Sequence, residues 1–145
     1  QNVLADRTPR NRDTQEEFFE NVICGEDSVN LMICRDGERI GIISLIERGG
    51  VERLAKMGLW IIPEHQGKGY GTEASELVTE YGFKQLNYHK IFYRAHEDNS
   101  SSQRLAEKLG FEKEAVLEDH TFKDGEYKDI IYYRMLEEEW DPNNG

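Results

Sequence analysis

The chain is poor in the residues from which most metal, redox and nucleic-acid sites are built. Its 145 residues include two cysteines, four histidines and three prolines. Cys24 and Cys34 stand among apolar neighbours, with no glycine or histidine setting to lower a thiol pKa, so they read as buried, reduced core residues rather than nucleophiles. His65, His89, His96 and His120 show no ligand spacing with each other or with the cysteines, and no metal site is expected. Cations are also scarce, at 18 Lys and Arg against 29 Asp and Glu, a formal net charge of −11. Binding a phosphate backbone needs the opposite balance, so nucleic acid is excluded as a partner. No apolar run approaches membrane-spanning length and no secretory leader is visible, so no membrane partner is expected and the expected compartment is the cytoplasm.

What is present suits one globular domain. The chain is 37% hydrophobic and 32% charged, and at this length folding buries roughly two-thirds of the unfolded surface. A single domain over 1–145 is expected, with an irregular start over 1–13 and a loose tail over 141–145. The acidic surplus serves solubility first, in a salty cytoplasm among others, and steering of cationic amines second.

Thr14 with Glu17 three positions on forms a capping box ahead of Phe18, Phe19, Val22 and Ile23, which predicts a short helix to about Gly25. Val29 to Arg35, the turn Asp36-Gly37 and Arg39 to Ile46 predict a hairpin, with Gly41 marking a bulge or close approach. Arg53 to Ile62 reads as a strand, with a bulge at Gly58. Lys90 to His96 reads as a strand buried on both faces. Glu97 to Ser102 is rich in capping residues, and a helix follows from Gln103 to Leu109, stopped by Gly110. Glu112 to Phe122 and Tyr127 to Leu136 form a last hairpin around Lys123-Asp124-Gly125-Glu126.

The chain turns on the stretch from Leu59 to Thr72. Apolar residues end at Pro63, which closes a strand. Gly67, Gly69 and Gly71 follow at every second position, and then Ala74, Leu77, Val78 and Tyr81 at helical spacing. A strand, a glycine turn and a helix start leave backbone N–H groups aimed into the turn, where negative oxygens fit. Glycine has no Cβ to hold a phosphate away and accepts the positive φ that makes N–H groups converge. Lys68 adds a positive charge. The spacing matches neither the dinucleotide fingerprint nor the triphosphate loop.

The pattern left, Gln66-Gly67-Lys68-Gly69-Tyr70-Gly71 after an Ile-Ile-Pro strand end, resembles the pyrophosphate-binding signature of the GNAT superfamily of acyl-CoA-dependent N-acyltransferases. A second block, Asn99 at a strand end followed by a helix closing on Lys108-Leu109-Gly110-Phe111, resembles the other hallmark of that superfamily. A third, Asp124-Gly125-Glu126-Tyr127-Lys128-Asp129 with Tyr132 and Tyr133, resembles the C-terminal hairpin of its RimJ/RimL branch, which includes spermidine N-acetyltransferases. The resemblance implies an α/β (α+β) fold with a mixed, mainly antiparallel sheet flanked by helices. That sheet is splayed open between the glycine-turn strand and the Lys90–His96 strand. The family's first strand and helix would lie upstream of the chain.

The resemblance also implies the chemistry, in which an acetyl group passes from acetyl-CoA as cosubstrate to a primary amine. The acceptor is a protein N-terminus or a small amine such as a polyamine, and a homodimer is left open. A non-catalytic acyl-CoA-binding module for sensing or interaction is the alternative. Backbone amides over Gly67, Lys68, Gly69, Tyr70, Gly71 and Thr72, next to Gln66, would hold the pyrophosphate. Ile61 and Ile62 would pair with pantetheine and supply an oxyanion donor. Asn99 would bond the pantetheine amide or simply cap its helix. Arg104 and Lys108 would reach the 3′-phosphate side or merely solvate a helix face. Many relatives carry a tyrosine acid seven positions after the Asn, where this chain has Ala106, so Ser102 is the substitute. Many also carry a glutamate where this chain has Lys56, which leaves Glu47, His96 and Glu97 as candidates to relay a proton through water, though each taken alone reads first as plain surface.

Overall fold

In the computed structural model, the described residues are 18–23, 28–48 and 50–140. Alternating apolar residues and two Asp-Gly turns dictate most of the strands. Asp36 and Gly37, at φ 53° and 82°, join β2 (Ser28–Arg35) to β3 (Glu38–Arg48). Asp124 and Gly125, at φ 55° and 80°, join β6 (Glu112–Lys123) to β7 (Glu126–Leu136). Two successive positive φ angles are those of the turn whose twist matches antiparallel strands. Between the hairpins lie β4 (Leu54–Ile61), helix α1 (Tyr70–Lys84), β5 (Lys90–His96) and helix α2 (Ser100–Leu109).

Phe18–Ile23 is a strand, β1, paired antiparallel with β2, and not the helix its capping box suggests. Phe, Val and Ile fit a pleated surface as readily as a helix, and the free edge of β2 offers backbone partners that a short isolated helix lacks. The capping-box residues and Cys24 lie outside the described residues, whereas Cys34 is a buried free thiol.

The sheet order is β1-β2-β3-β4-β5-β7-β6. Every pairing is antiparallel except β4 with β5, which run parallel for three pairs only, Leu54–Lys90, Ala55–Ile91 and Lys56–Phe92. Beyond Lys56 the two strands part, so the splay is a property of the register.

The bulge at Gly41 is present: Ile33 pairs with Gly41 and Cys34 with Arg39, leaving Ile40 as the extra residue. A Cβ on Gly41 would stand 2.5 Å from the Trp60 carbonyl oxygen, so glycine also permits the close approach of β4. The bulge expected at Gly58 is absent, because β3 and β4 keep one register from Gly41–Ile61 to Arg48–Leu54. Gly58 instead makes room for Ser44, whose Oγ would lie 3.2 Å from an added Cβ.

One sheet face carries the core. Ile43, Leu45, Ala55, Met57, Ile91, Tyr93 and Ala95 are buried there against Ala74, Val78 and Phe83 of α1 and Ala106 of α2. β5 is therefore buried on one face and not on both: Arg94 is exposed and Phe92 half-buried, since among the described residues the helices lie on the Ile91–Tyr93–Ala95 side alone. α2 begins three residues before the sequence suggests, at Ser100, with Asn99 as its cap and Gly110 at φ 87° ending it.

Candidate functional site

The alternation of an antiparallel ladder decides which way β4 points its backbone. Ile62 N–H donates to the Ile40 carbonyl at 2.9 Å, so the Ile62 N–H and the polar groups of Trp60 and Gly58 are spent on β3, while the Ile62 carbonyl accepts the His65 N–H at 3.0 Å. Ile61, Leu59 and Met57 then aim theirs at β5, which has moved away by this point. The Ile61 carbonyl accepts the Gln66 side-chain N–H at 2.7 Å, which leaves Leu59 and the Ile61 N–H facing the gap. Ile62, read from the sequence as an oxyanion donor, is committed to β3, and Leu59 takes that geometric place.

Past Pro63–His65, a single 3₁₀ turn, the glycine turn stays open. Gly67 and Gly69 have φ of 77° and 90°, and a Cβ on either would meet nothing within 4 Å. Gly71 serves close packing, since its Cβ would lie 3.1 Å from Leu59 Cδ2. The Glu73 N–H is the first to close a helical bond, onto the Gly69 carbonyl. The N–H groups of Tyr70, Gly71 and Thr72 therefore lack intrahelical partners and carry the positive end of the helix dipole.

The gap and the turn form one cleft of about 430 Å³ between β4, the glycine turn and α2. Of the residues read from the sequence, Ile61, Gln66, Gly67, Gly69, Gly71, Thr72, Asn99, Ser102, Arg104 and Lys108 line it, and Ile62, Lys68 and Tyr70 do not. Tyr70 is buried under the Arg35 guanidinium, 5.5 Å from its ring centroid, so only its backbone can face the turn. Leu59, Trp60, His65, Ser101 and Leu105 also line the cleft. Ser101, Leu105 and Lys108 recur at helical spacing, a signal by which the lining face of α2 was available in the sequence. Arg104 and Lys108 are the two permanent cations of the lining, and no carboxylate is among it. In a chain with 29 acidic residues, that composition suits an anion.

Asn99 does cap its helix, its Oδ1 accepting from Ser102 N–H at 3.1 Å. The Ser102 carbonyl accepts the Tyr93 hydroxyl at 2.8 Å, which ties the first turn of α2 to β5. Burial, and then the nearby Tyr133, push the Tyr93 hydroxyl far above its ordinary pKa, so it stays a donor. Ala106 is buried in the core cluster, so no acid stands at the position where relatives carry tyrosine. Glu47 and Glu97 are not brought to the cleft. Glu47 is on the helix-side row of β3 opposite Ala55, where β4 and β5 are still paired. Glu97 is exposed, with its N–H on the Asp129 carbonyl and its own carbonyl accepting from Gln103. His96 Nδ1 is buried without a hydrogen-bond partner among the described residues.

Asn99 separates two roles by substitution. Asn99→Ala is expected to cost about 1 kcal/mol in urea unfolding through loss of the cap. Asn99→Asp should keep that stability, and if the amide also touches a ligand it should still lose affinity.

A family model described as an acetyltransferase (GNAT) domain matches residues 2–112. The spermidine N(1)-acetyltransferase of Escherichia coli K12 is 34% identical over 115 residues, covering 79% of this chain and 62% of that protein. The chain thus spans less than two-thirds of that relative. The spermidine N(1)-acetyltransferase of Vibrio cholerae is 30% identical over 130 residues, covering 88% of this chain and 75% of it. Among solved structures, a dodecameric spermidine N-acetyltransferase from Vibrio cholerae superposes with a TM-score of 0.76 at 28% identity, over 83% of this chain and 71% of that one. With the splayed sheet, the glycine turn and these matches agreeing, the chain belongs to the GNAT acetyltransferase domain family.

Proposed function

We propose that the cleft binds acetyl-CoA and that the protein passes its acetyl group to a primary amine. The carboxylate-free cleft carries this reading, since it joins an open glycine turn to a pair of unpaired strand segments. The amides of Gly67 to Thr72 take the pyrophosphate, and Arg104 and Lys108 take the phosphates on the α2 side. Leu59 and the Ile61 N–H bond the pantetheine as an added strand would. The amine nitrogen attacks the thioester carbonyl, a C–N bond forms, the C–S bond breaks, and the amine's proton passes to solvent. The thiolate leaves beside Ser102, which lines the cleft one helical turn before Ala106. Names of relatives support an amine acceptor and a homo-oligomer. Among the described residues no helix is long and apolar enough to cross a membrane.

Ala106 and Lys56 favour a second reading, an acyl-CoA-binding module without turnover. Both readings predict that coenzyme A raises Tm, by mass action on the folded state. Only the first predicts that acetyl-CoA with an amine releases free thiol. No shift in Tm would rule out both.

A further inference from the structure

The sheet face opposite the helices has its own charge pattern. Along the central strands it presents Ile42, Ser44, Ile46 and Arg48 of β3, Leu54, Lys56, Gly58 and Trp60 of β4, and Lys90, Phe92, Arg94 and His96 of β5. None of these is Asp or Glu, in a chain where acids outnumber cations 29 to 18. Lys90 is satisfied by Glu114 at 2.8 Å. Arg48, Lys56 and Arg94 have no ion-pair partner among the described residues. They crowd one another: burial, then Arg94, then Arg48, hold the Lys56 ammonium below its ordinary pKa.

Their position matters more than their number. Lys56 is the last β4 residue paired to β5, opposite Phe92, and Arg94 is the next residue of β5 on the same face. They stand on either lip of the opening where the strands part. Gly58, next on the β4 lip, has no side chain to close it, and Trp60 beyond it is 56% exposed and reaches the cleft lining. An amine approaching the cleft through the opening from this face passes between an ammonium and a guanidinium. A polycation meets repulsion there, and a carboxylate meets two charge-assisted donors.

We propose that the acceptor is a primary amine bearing a carboxylate a few bonds away, held by Lys56 and Arg94 while the amine enters the splay. The inference rests on the acetyl-transfer reading above. An amino acid and a peptide with an acidic first residue share this chemistry, and rates on each tell the two sources apart.

The test is thiol release from acetyl-CoA with glutamate, an Asp-initiated peptide amide, glutaminamide, in which both carboxylates of glutamate are amides, the Asn-initiated peptide amide and spermidine. At least one acidic acceptor should exceed its amide counterpart by about tenfold in kcat/KM, the scale of one charge-assisted hydrogen bond, and should also exceed spermidine. Lys56→Gln with Arg94→Gln should erase that ratio. Raising salt should increase KM for the acidic acceptor and leave that for its amide counterpart unchanged, a readout that survives if the double variant fails to fold. Turnover of spermidine at or above the acidic acceptors would overturn the proposal and leave acetyl transfer standing. Coenzyme A binding without turnover of any amine would overturn both.

Discussion

A Gly69→Asp variant is expected to lose coenzyme A affinity by roughly 100-fold or more, read by calorimetry. Two effects add. The side chain would fill space that is empty to 4 Å around the Cβ position, and a carboxylate near a diphosphate costs about 4 kcal/mol at an effective dielectric of 20. The backbone effect is separable, since forcing a non-glycine residue into a left-handed conformation costs about 1–2 kcal/mol by itself. Gly125, at φ 80° in the β6–β7 turn, also has empty space around its Cβ position. Gly125→Asp should therefore lose similar stability and bind coenzyme A like the parent. Equal affinity in Gly69→Asp and parent would remove the diphosphate from this turn.

Among the described glycines, Gly41→Ala should be the most damaging alanine substitution. Its Cβ would lie 2.5 Å from the Trp60 carbonyl oxygen, a backbone atom that cannot move without taking β4 with it. Overpacking of this kind costs about 1–3 kcal/mol, or roughly 2–10 °C in Tm for a domain of this size. Because the displaced strand carries Leu59 and Ile61, coenzyme A affinity should fall as well. Gly82→Ala is the comparison. Its nearest neighbour, at 2.8 Å, is the terminal Cδ1 of Ile91, which can turn aside, and alanine inside α1 regains about 1 kcal/mol of helix propensity. A larger loss in Gly82→Ala than in Gly41→Ala would contradict the account of how β4 is held.

Most of the strands were legible in the sequence because short-range chemistry sets them. Asp36-Gly37 and Asp124-Gly125 fix two hairpins through positive φ, and Gly110 ends α2 for the same reason. The glycine turn was legible for its lack of side chains, which the empty space at Gly67 and Gly69 bears out. What was hidden depends on partners distant in the chain. Phe18–Ile23 joins a sheet edge that its own residues do not announce. Whether Ile61 or Ile62 faces the gap is a question of ladder parity, settled by the Ile62–Ile40 hydrogen bond. Gln66 sits inside the ligand-like motif, but its side-chain N–H is used on the Ile61 carbonyl. Glu47 and Glu97 have the right chemistry and stand at strand ends, but register puts neither in the cleft.

Three residue pairs are all that bind β4 to β5. The sheet is thus two half-sheets stitched at one end, β1 to β4 and β5 to β7, with α1 laid across the seam. A molecule that bonds to the inner edges of both halves replaces missing rungs of the ladder. Amides along that seam would then exchange with deuterium fastest in the empty protein, and slow most when the cleft is filled.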